Sequence, residues 1–254
     1  MSDTGLIGSI LAKIAGRVAP PAAPTKDDLT LLAERHGTDK AAGHSYTQHY
    51  HRHFAELRDR PVNVLEIGIG GDFDEQAGGN SLRMWQDYFP KGQIAGLDLI
   101  PKPNVKGERI RTYQGSQADP IILAQILTDL KGAKFDIIID DGSHRSEHVI
   151  GTFYMLFQHL ADDGWYVIED MQTSYWTPYG GGLTQVDTHQ ASMPFFKSLV
   201  DGLNWQEMHR PGYQPNYFDM NIVGMHFYHN LLFIKKGRNT EGSNVVTNNV
   251  FPNL

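Results

Sequence analysis

The sequence has no cysteine, and this absence excludes several kinds of chemistry at once. Without Cys among its 254 residues, the chain can form no disulfide, no thiolate metal site and no cysteine nucleophile. It also lacks a run of about 18 apolar residues, the length that a membrane-spanning helix requires. The formal net charge is −7, and no cluster of Lys and Arg could follow a phosphate backbone. We therefore expect a cytoplasmic protein that binds no nucleic acid and has no membrane span.

Length and composition predict one α/β domain with short additions at both ends. Residues 1–24 contain an apolar stripe at helical spacing, followed by a stiff Pro/Ala linker. The stripe predicts a helix that packs on the body or on a partner subunit, with a membrane-surface helix as the alternative. Residues 25–237 form the predicted domain, and residues 238–254 form a polar tail that we expect to be poorly ordered or docked on another subunit.

The strongest motif is an apolar strand that ends in polar residues. Residues 135–139 include three consecutive isoleucines, which indicate a strand buried on both faces, as in a parallel sheet. Asp140, Asp141 and His144 come next in the chain. A core strand has no use for such side chains, whereas the chemistry of open α/β sheets collects just beyond the carboxyl ends of strands. We therefore predict an active-site edge here.

Another strand, predicted further along the chain at residues 165–168, ends in Glu169 and Asp170. Its carboxyl end should lie at the same edge as Asp140 and Asp141, and carboxylates crowded together repel each other. A hard divalent cation such as Mg²⁺, Mn²⁺ or Ca²⁺ would relieve this conflict through oxygen ligands. The alternative is that these acids cap the helices that follow.

A glycine-rich turn follows the first predicted strand of the sheet. Glu66, Gly68, Gly70 and Gly71 give the pattern Glu-x-Gly-x-Gly-Gly. The dinucleotide-binding pattern is Gly-x-Gly-x-x-Gly, and Phe73 stands where its last glycine would be. An acid just before the glycines would repel a pyrophosphate, so the turn suits a ligand with an ammonium group.

The next two predicted strands also end in polar residues. Asp98 ends the second strand, where a carboxylate commonly binds ribose hydroxyls. A simple turn residue is the alternative for Asp98. Ser116 and Gln117 follow the third strand, at the place where an adenine ring would lie in such a sheet.

Two aromatic segments complete the candidate site and its support. Residues 171–193 are aromatic, glycine-rich and start at the acidic edge, which predicts a lid or binding loop, with a plain surface loop as the alternative. In residues 44–54, tyrosine and phenylalanine recur at helical spacing, and we expect the histidines between them on a solvated face. The candidate acceptor contacts in the loop are Gln172, Tyr175 and Trp176.

Together these motifs resemble a known family. Alternating strands and helices, the Glu-x-Gly-x-Gly-Gly turn, the acid of the second strand and a terminal β-hairpin are similar to the class I S-adenosylmethionine-dependent methyltransferase fold. Residues 36–40 (HGTDK), 139–144 (IDDGSH) and 168–170 (IED) further resemble the metal-dependent sugar O-methyltransferases of macrolide biosynthesis, over about residues 27–236. The resemblance implies a Rossmann-like, mostly parallel seven-stranded sheet with an antiparallel C-terminal hairpin and an N-terminal helical extension.

Carried over to the matching positions, the resemblance also implies the site. Asp141, Glu169 and Asp170 would hold Mg²⁺ (or Mn²⁺), and His144 would be the general base. The S-adenosylmethionine pocket would comprise Thr38, Glu66, Gly68, Ser81, Asp98, Ser116, Gln117 and Asp140.

The implied activity is transfer of a methyl group to a sugar hydroxyl of a small glycosylated natural product by a homo-oligomeric enzyme, with the acceptor diol chelated by the cation. Two alternatives stay open. One is a hydroxylase-associated enzyme of antibiotic modification on the same scaffold, and the other is a non-catalytic S-adenosylmethionine-binding subunit.

Overall fold

The computed structural model describes residues 27–182 and 190–252. The predicted N-terminal helix and linker at residues 1–24 lie outside the described residues, as do residues 183–189 of the predicted binding loop. Within the described ranges, no helix has the length and apolar character needed to cross a membrane. The proposed division of the chain at residues 24 and 237 stays a prediction.

The strands form one mixed sheet. They are β1 Asn63–Ile67, β2 Gln93–Asp98, β3 Ile110–Gln114, β4 Phe135–Asp140, β5 Leu160–Ile168, β6 Ile222–Tyr228 and β7 Leu231–Lys236. Their order is β3-β2-β1-β4-β5-β7-β6. Strands β1 to β5 pair in parallel, whereas β7 pairs antiparallel with both β5 and β6. The predicted seven-stranded sheet with a C-terminal hairpin is confirmed.

Helices cover both faces of the sheet. They are α1 Asp28–His36, α2 Asp39–Ala42, α3 Thr47–Phe54, α4 Asn80–Tyr88, α5 Pro120–Asp129, α6 Ser146–Leu156, α7 Ser192–Ser198 and α8 Tyr217–Asn221. Ile137 and Ile139 belong to the apolar cluster under α1, α3 and α4, and Ile138 belongs to the cluster under α5, α6 and α7. Strand β4 is therefore buried on both faces, as its unbroken apolar run predicts.

The strand order places a crevice at the centre of the sheet. The chain moves outward from β1 to β2 and β3, and then returns to place β4 on the other side of β1. The connections after β1 and β4 therefore diverge to opposite faces, which opens a crevice beyond the carboxyl ends of these two strands. The acidic residues that the sequence analysis singled out follow β4 and its neighbour β5.

The aromatic stripe of α3 is confirmed, but the solvated face predicted for its histidines is wrong for His53. Tyr46, Tyr50 and Phe54 are at most 1% exposed. The imidazole of His53 packs between rings, with its centroid 4.6 Å from that of Trp165 and 4.5 Å from that of Phe233. Because the rings around His53 come from β5, β6 and β7, helical spacing in the sequence cannot reveal this long-range packing.

The packing of His53 predicts a loss of stability in acid. Burial lowers the pKa of His53 to about 4 from its usual 6.5, so the unfolded chain takes up a proton at a higher pH than the folded protein. Stability from a neutral His53 is therefore present above pH about 6.5 and is lost as the pH falls through that value towards 4. We expect wild type to lose more thermal stability between pH 7 and pH 4.5 than His53→Gln does. The exposed His229 provides the control, and an equal pH response in wild type, His53→Gln and His229→Gln would contradict the account.

The tail does not have the arrangement expected of it. Residues 238–252 dock on the same chain through two buried asparagines. The side-chain amide of Asn239 donates to the carbonyls of Gly202, Leu203 and Asp219. That of Asn249 donates to the carbonyls of Trp205 and Met208. An Asn-rich composition suggested disorder, but amide groups also satisfy the backbone of an irregular neighbouring segment.

Candidate active site

A cleft of about 810 Å³ opens beyond the carboxyl ends of β1, β2 and β4. Its walls come from the glycine-rich turn after β1, the ends of β2 and β3, and the Asp141–His144 turn after β4. Gly68 has φ +78°, and a Cβ there would lie 2.0 Å from the carbonyl oxygen of Asp141. Only glycine allows β1 and β4 to turn outward this close together.

Six of the predicted cofactor residues line this cleft, and two lie behind its wall. Glu66 is fully buried and Asp140 is 1% exposed. The indole N–H of Trp85 donates to Glu66 Oε2 at 2.9 Å, and the amide of Gln117 donates to both oxygens of Asp140. The six lining residues are Thr38, Gly68, Ser81, Asp98, Ser116 and Gln117.

Asp98 has a structural duty at the end of β2. Its Oδ2 accepts the amide hydrogen of Ile69 at 3.0 Å, and its Oδ1 accepts that of Ile100 at 2.9 Å. These bonds fix the glycine-rich turn against the second strand. Asp98 can therefore stabilise the turn and also bind a ligand, because the residue lines the cleft.

Asp141, His144 and Asp170 form a group of side chains at the rim of the cleft. Each offers one ligand atom within 4.8 Å of the others, and His144 Nε2 lies 3.6 Å from Asp170 Oδ2. His144 has φ 56° and Asp170 has φ 52°. Residues other than glycine rarely adopt this left-handed conformation, and such residues cluster at functional sites. The backbone thus turns sharply at two of the three positions.

Glu169 lies deeper than its two acidic neighbours at the rim. It is 4% exposed, and its Oε1 accepts hydrogen bonds from the Lys40 ammonium at 2.7 Å and the Tyr50 hydroxyl at 2.5 Å. Asp170, in contrast, receives the Tyr46 hydroxyl on Oδ1 at 2.8 Å and lines the cleft. The ligand role predicted for Glu169 remains a prediction, and one of its oxygens is already engaged by the protein.

Lys40 is a residue of the site that the sequence did not reveal. Lys40 is 1% exposed, and its Nζ lies 2.7 Å from Asp141 Oδ2, 2.7 Å from Glu169 Oε1 and 3.1 Å from Glu66 Oε1. These acids end three adjacent strands of the sheet, whereas Lys40 lies on the short helix α2. Its place in the HGTDK segment was a visible signal, but nothing local to that segment names its partners.

Burial dominates the electrostatics of this cluster. It raises the pKa of Glu66, Asp141 and Glu169 above the usual carboxyl values, and Lys40 opposes this shift in each case. For Lys40, burial lowers the pKa, but Asp141, Glu169 and Glu66 together outweigh it, and the net direction is well upward. Asp140, which has no such cation beside it among the described residues, has its pKa raised by burial to about 7. Lys40 is the internal counter-ion of the acidic edge.

The predicted acceptor residues lie outside the lining of the cleft. Tyr175 and Trp176 are 41% and 49% exposed, and Gln172 lies with Tyr175 in a short 3-10 helix, Met171–Tyr175. The segment is anchored to the rim, because the hydroxyl of Thr173 donates to the carbonyls of Asp170 and His144. A second 3-10 helix, Thr177–Tyr179, follows. The described part of this loop therefore has regular structure.

The sheet order, the glycine turn and the acidic rim define the class I methyltransferase fold. No protein-family model matches the chain. It is 47% identical over 219 residues to mycinamicin VI 2''-O-methyltransferase of Micromonospora griseorubida, which covers 85% of this chain and 54% of that protein. It is 46% identical to demethylmacrocin O-methyltransferase of Streptomyces fradiae, with 85% of this chain and 55% of that protein covered. The chain thus spans about half the length of these relatives.

A solved structure is similar as well. The MycE methyltransferase from the mycinamycin biosynthetic pathway, in complex with Mg and SAH, gives a TM-score of 0.80 at 45% identity, over 94% of this chain and 61% of that chain. A further MycE structure, with Mg, SAH and mycinamycin VI, gives 0.79 at 44% identity, over 95% of this chain and 63% of that chain. The chain is therefore a homologue of the macrolide sugar O-methyltransferases and has their fold.

Proposed function

We propose that the chain is an S-adenosylmethionine-dependent O-methyltransferase that acts on a sugar hydroxyl of a glycosylated natural product. The observation that carries this proposal is the group Asp141, His144 and Asp170 at the rim of a cleft. It joins a cation site and a proton acceptor to a pocket of suitable size for a cofactor, since ligand pockets measure roughly 300–1,000 Å³. Relatives at 43–47% identity bear the names of sugar O-methyltransferases, which supports the same activity.

S-adenosylmethionine fits the lining of the cleft. Gly68 and its neighbours let a ligand approach the backbone closely, and Asp98 provides carboxylate oxygens at the end of β2. Ser116 adds a hydroxyl after β3, and Gln117 lines the cleft beside it. Glu66 and Asp140 would act from behind this wall, by holding Trp85 and Gln117 in place. MycE was solved with SAH, S-adenosylhomocysteine, which is S-adenosylmethionine without its methyl group, and this supports S-adenosylmethionine as the cofactor.

The donor set at the rim fits Mg²⁺ or Mn²⁺. Asp141 and Asp170 offer the carboxylate oxygens that hard cations prefer, which would leave the imidazole of His144 free to accept a proton. Glu169 would take part through an oxygen that Lys40 and Tyr50 leave free. When bound, the cation supplies Lewis acidity that makes two adjacent sugar hydroxyls easier to deprotonate. MycE was solved with Mg.

His144 is the residue that we propose as the general base. A secondary alcohol is a poor nucleophile at neutral pH, so a group must accept its proton as the oxygen bonds to the sulfonium methyl. The S–CH₃ bond then breaks, and S-adenosylhomocysteine leaves with the electron pair on sulfur. Imidazole is the side chain most often used for this task. Asp170, 3.6 Å from His144 Nε2, would orient the ring. The remaining contribution of the chain is to position two reactants, which can itself account for much of a rate enhancement.

The remaining expectations complete the proposal. Gln172, Tyr175 and Trp176 would contact the acceptor where the anchored loop reaches past the rim. We also propose a cytoplasmic homo-oligomer. The hydroxylase-associated alternative has no observation in its favour, because the relatives named above are O-methyltransferases.

A screen of acceptors tests the proposed function. Glycosylated macrolides and tetracenomycin-type rhamnosides, with matched aglycones as controls, are incubated with S-adenosylmethionine and Mg²⁺, and mass spectrometry follows the gain of one methylene per turnover. We expect methylation of at least one glycoside and of no aglycone. Cofactor binding by calorimetry without turnover on any acceptor would favour the non-catalytic subunit, and oxygen consumption would favour the hydroxylase-associated enzyme.

A further inference from the structure

Lys40 connects three strand ends to one helix. Its ammonium has three N–H donors, and it meets one carboxylate from the end of each of the adjacent strands β1, β4 and β5 at 2.7 to 3.1 Å. Those carboxylates belong to Glu66, Asp141 and Glu169. The side chain of Lys40 is 2% exposed, so water does not screen these contacts. The ammonium donates hydrogen bonds to Asp141 and Glu169 and forms an ion pair with Glu66, and a buried ammonium paired in this way holds its partners in one arrangement.

One of these partners belongs to the proposed cation site. Asp141 lies in the rim group with His144 and Asp170, and its Oδ2 is 2.7 Å from Lys40 Nζ. The second carboxylate of the group is also held by a hydrogen bond. The hydroxyl of Tyr46, at the start of α3, donates to Asp170 Oδ1 at 2.8 Å. The segment that precedes the sheet therefore fixes both carboxylates of the group.

We propose that Lys40 is a positioning residue for the proposed cation site. It acts through Asp141, whose carboxylate it holds with one oxygen engaged, so that the rim group keeps the spacing a divalent cation needs. This inference rests on the proposed function for the presence of a cation. Outer-shell partners of metal ligands commonly contribute in this way to the affinity for the metal.

Mn²⁺ binding to the purified protein, followed by electron paramagnetic resonance, tests the proposal without the use of turnover. We expect Lys40→Met to weaken Mn²⁺ binding by roughly 10- to 100-fold, the usual effect of losing an outer-shell partner. Lys236→Met is the matched control. Lys236 is also 2% exposed, but its ammonium binds only the carbonyls of Gln158 and Leu160 among the hydrogen-bond partners in the described chain. This control should bind Mn²⁺ like wild type.

A second variant guards against simple misfolding. If Lys40→Met leaves too many buried carboxylates to fold, Lys40→Met/Glu66→Gln removes one of them, and Glu66→Gln alone is its reference. We expect the double variant to fold, by circular dichroism, and to bind Mn²⁺ at least 10-fold more weakly than Glu66→Gln. A double variant that remains unfolded would assign Lys40 a purely structural role and overturn the proposal.

The outcomes separate this inference from the proposed function. Unchanged Mn²⁺ affinity in Lys40→Met would overturn the positioning role alone. Tighter binding would also overturn it, because it would mean that the ammonium merely competes with the cation. A wild-type protein that binds no Mn²⁺ would overturn the proposed cation site together with this inference. Weaker binding in Lys40→Met, whether or not any acceptor in the screen is methylated, would support the positioning role.

Discussion

His144→Asn is expected to lower the rate of methyl transfer by roughly 10²- to 10⁴-fold, the usual contribution of a general base. Asparagine tolerates the left-handed backbone of this position, where φ is 56°, better than alanine does. The asparagine side chain also has an oxygen that could contact a cation. However, its amide group cannot take up a proton at neutral pH. The variant therefore separates the proposed base from a residue that serves only as a ligand. Binding of SAH should survive, because the change leaves Gly68 and Asp98 intact.

The measurement is kcat with saturating S-adenosylmethionine and acceptor, together with Mn²⁺ affinity. His229→Asn, at the exposed turn between β6 and β7, is the control and should behave like wild type. A His144→Asn protein with a near-normal rate would refute the assignment of the base. A loss of Mn²⁺ affinity that fully explains the loss of rate would reassign His144 as a ligand.

The second large effect is expected at Asp141. Asp141→Asn keeps the shape of the side chain but removes a charge that the proposed cation needs. The loss should amount to several kcal/mol of transition-state stabilisation, or roughly 10³-fold in rate. Lys40 keeps two carboxylate partners, Glu66 and Glu169, so we expect the variant to fold.

Asp136→Asn provides the control on the same strand. Asp136 lies in β4 near its beginning, at the edge of the sheet opposite the cleft, and its Oδ2 accepts the amide hydrogen of Asn63. Its replacement should cost some stability and leave kcat unchanged. Rates that fall equally in Asp136→Asn and Asp141→Asn would show that the loss reflects the fold rather than the rim group.

The fold could be predicted from the sequence because strands and helices are marked by patterns among residues that are close together in the chain. Consecutive isoleucines predicted that β4 is a buried strand, and the alternation of strands and helices predicted a mostly parallel sheet. The acidic ends of β4 and β5 then followed from topology, since parallel neighbours end at one edge.

The roles within the site depended on contacts that sequence spacing does not contain. Lys40 is separated from Asp141 by 101 positions in the sequence and from Glu169 by 129. No periodicity or motif in the sequence predicts contacts between residues so far apart in the chain. Adjacent acids also diverge at the strand end. Asp140 is buried behind the cleft, whereas Asp141 lines it, because successive residues of an extended chain point to opposite sides. The burial of His53 could not be predicted for the same reason, since its neighbours come from the distant strands β5, β6 and β7.

The dependence of turnover on the cation is the most direct test of the central claim, that the carboxylates of the rim group hold a divalent cation required for methyl transfer. Purified protein is freed of metal with a chelator and assayed with S-adenosylmethionine and a glycosylated acceptor, before and after the addition of Mg²⁺ or Mn²⁺. We predict that turnover disappears without the cation and returns with it, while SAH binding persists throughout. Full turnover in the presence of the chelator would contradict the account.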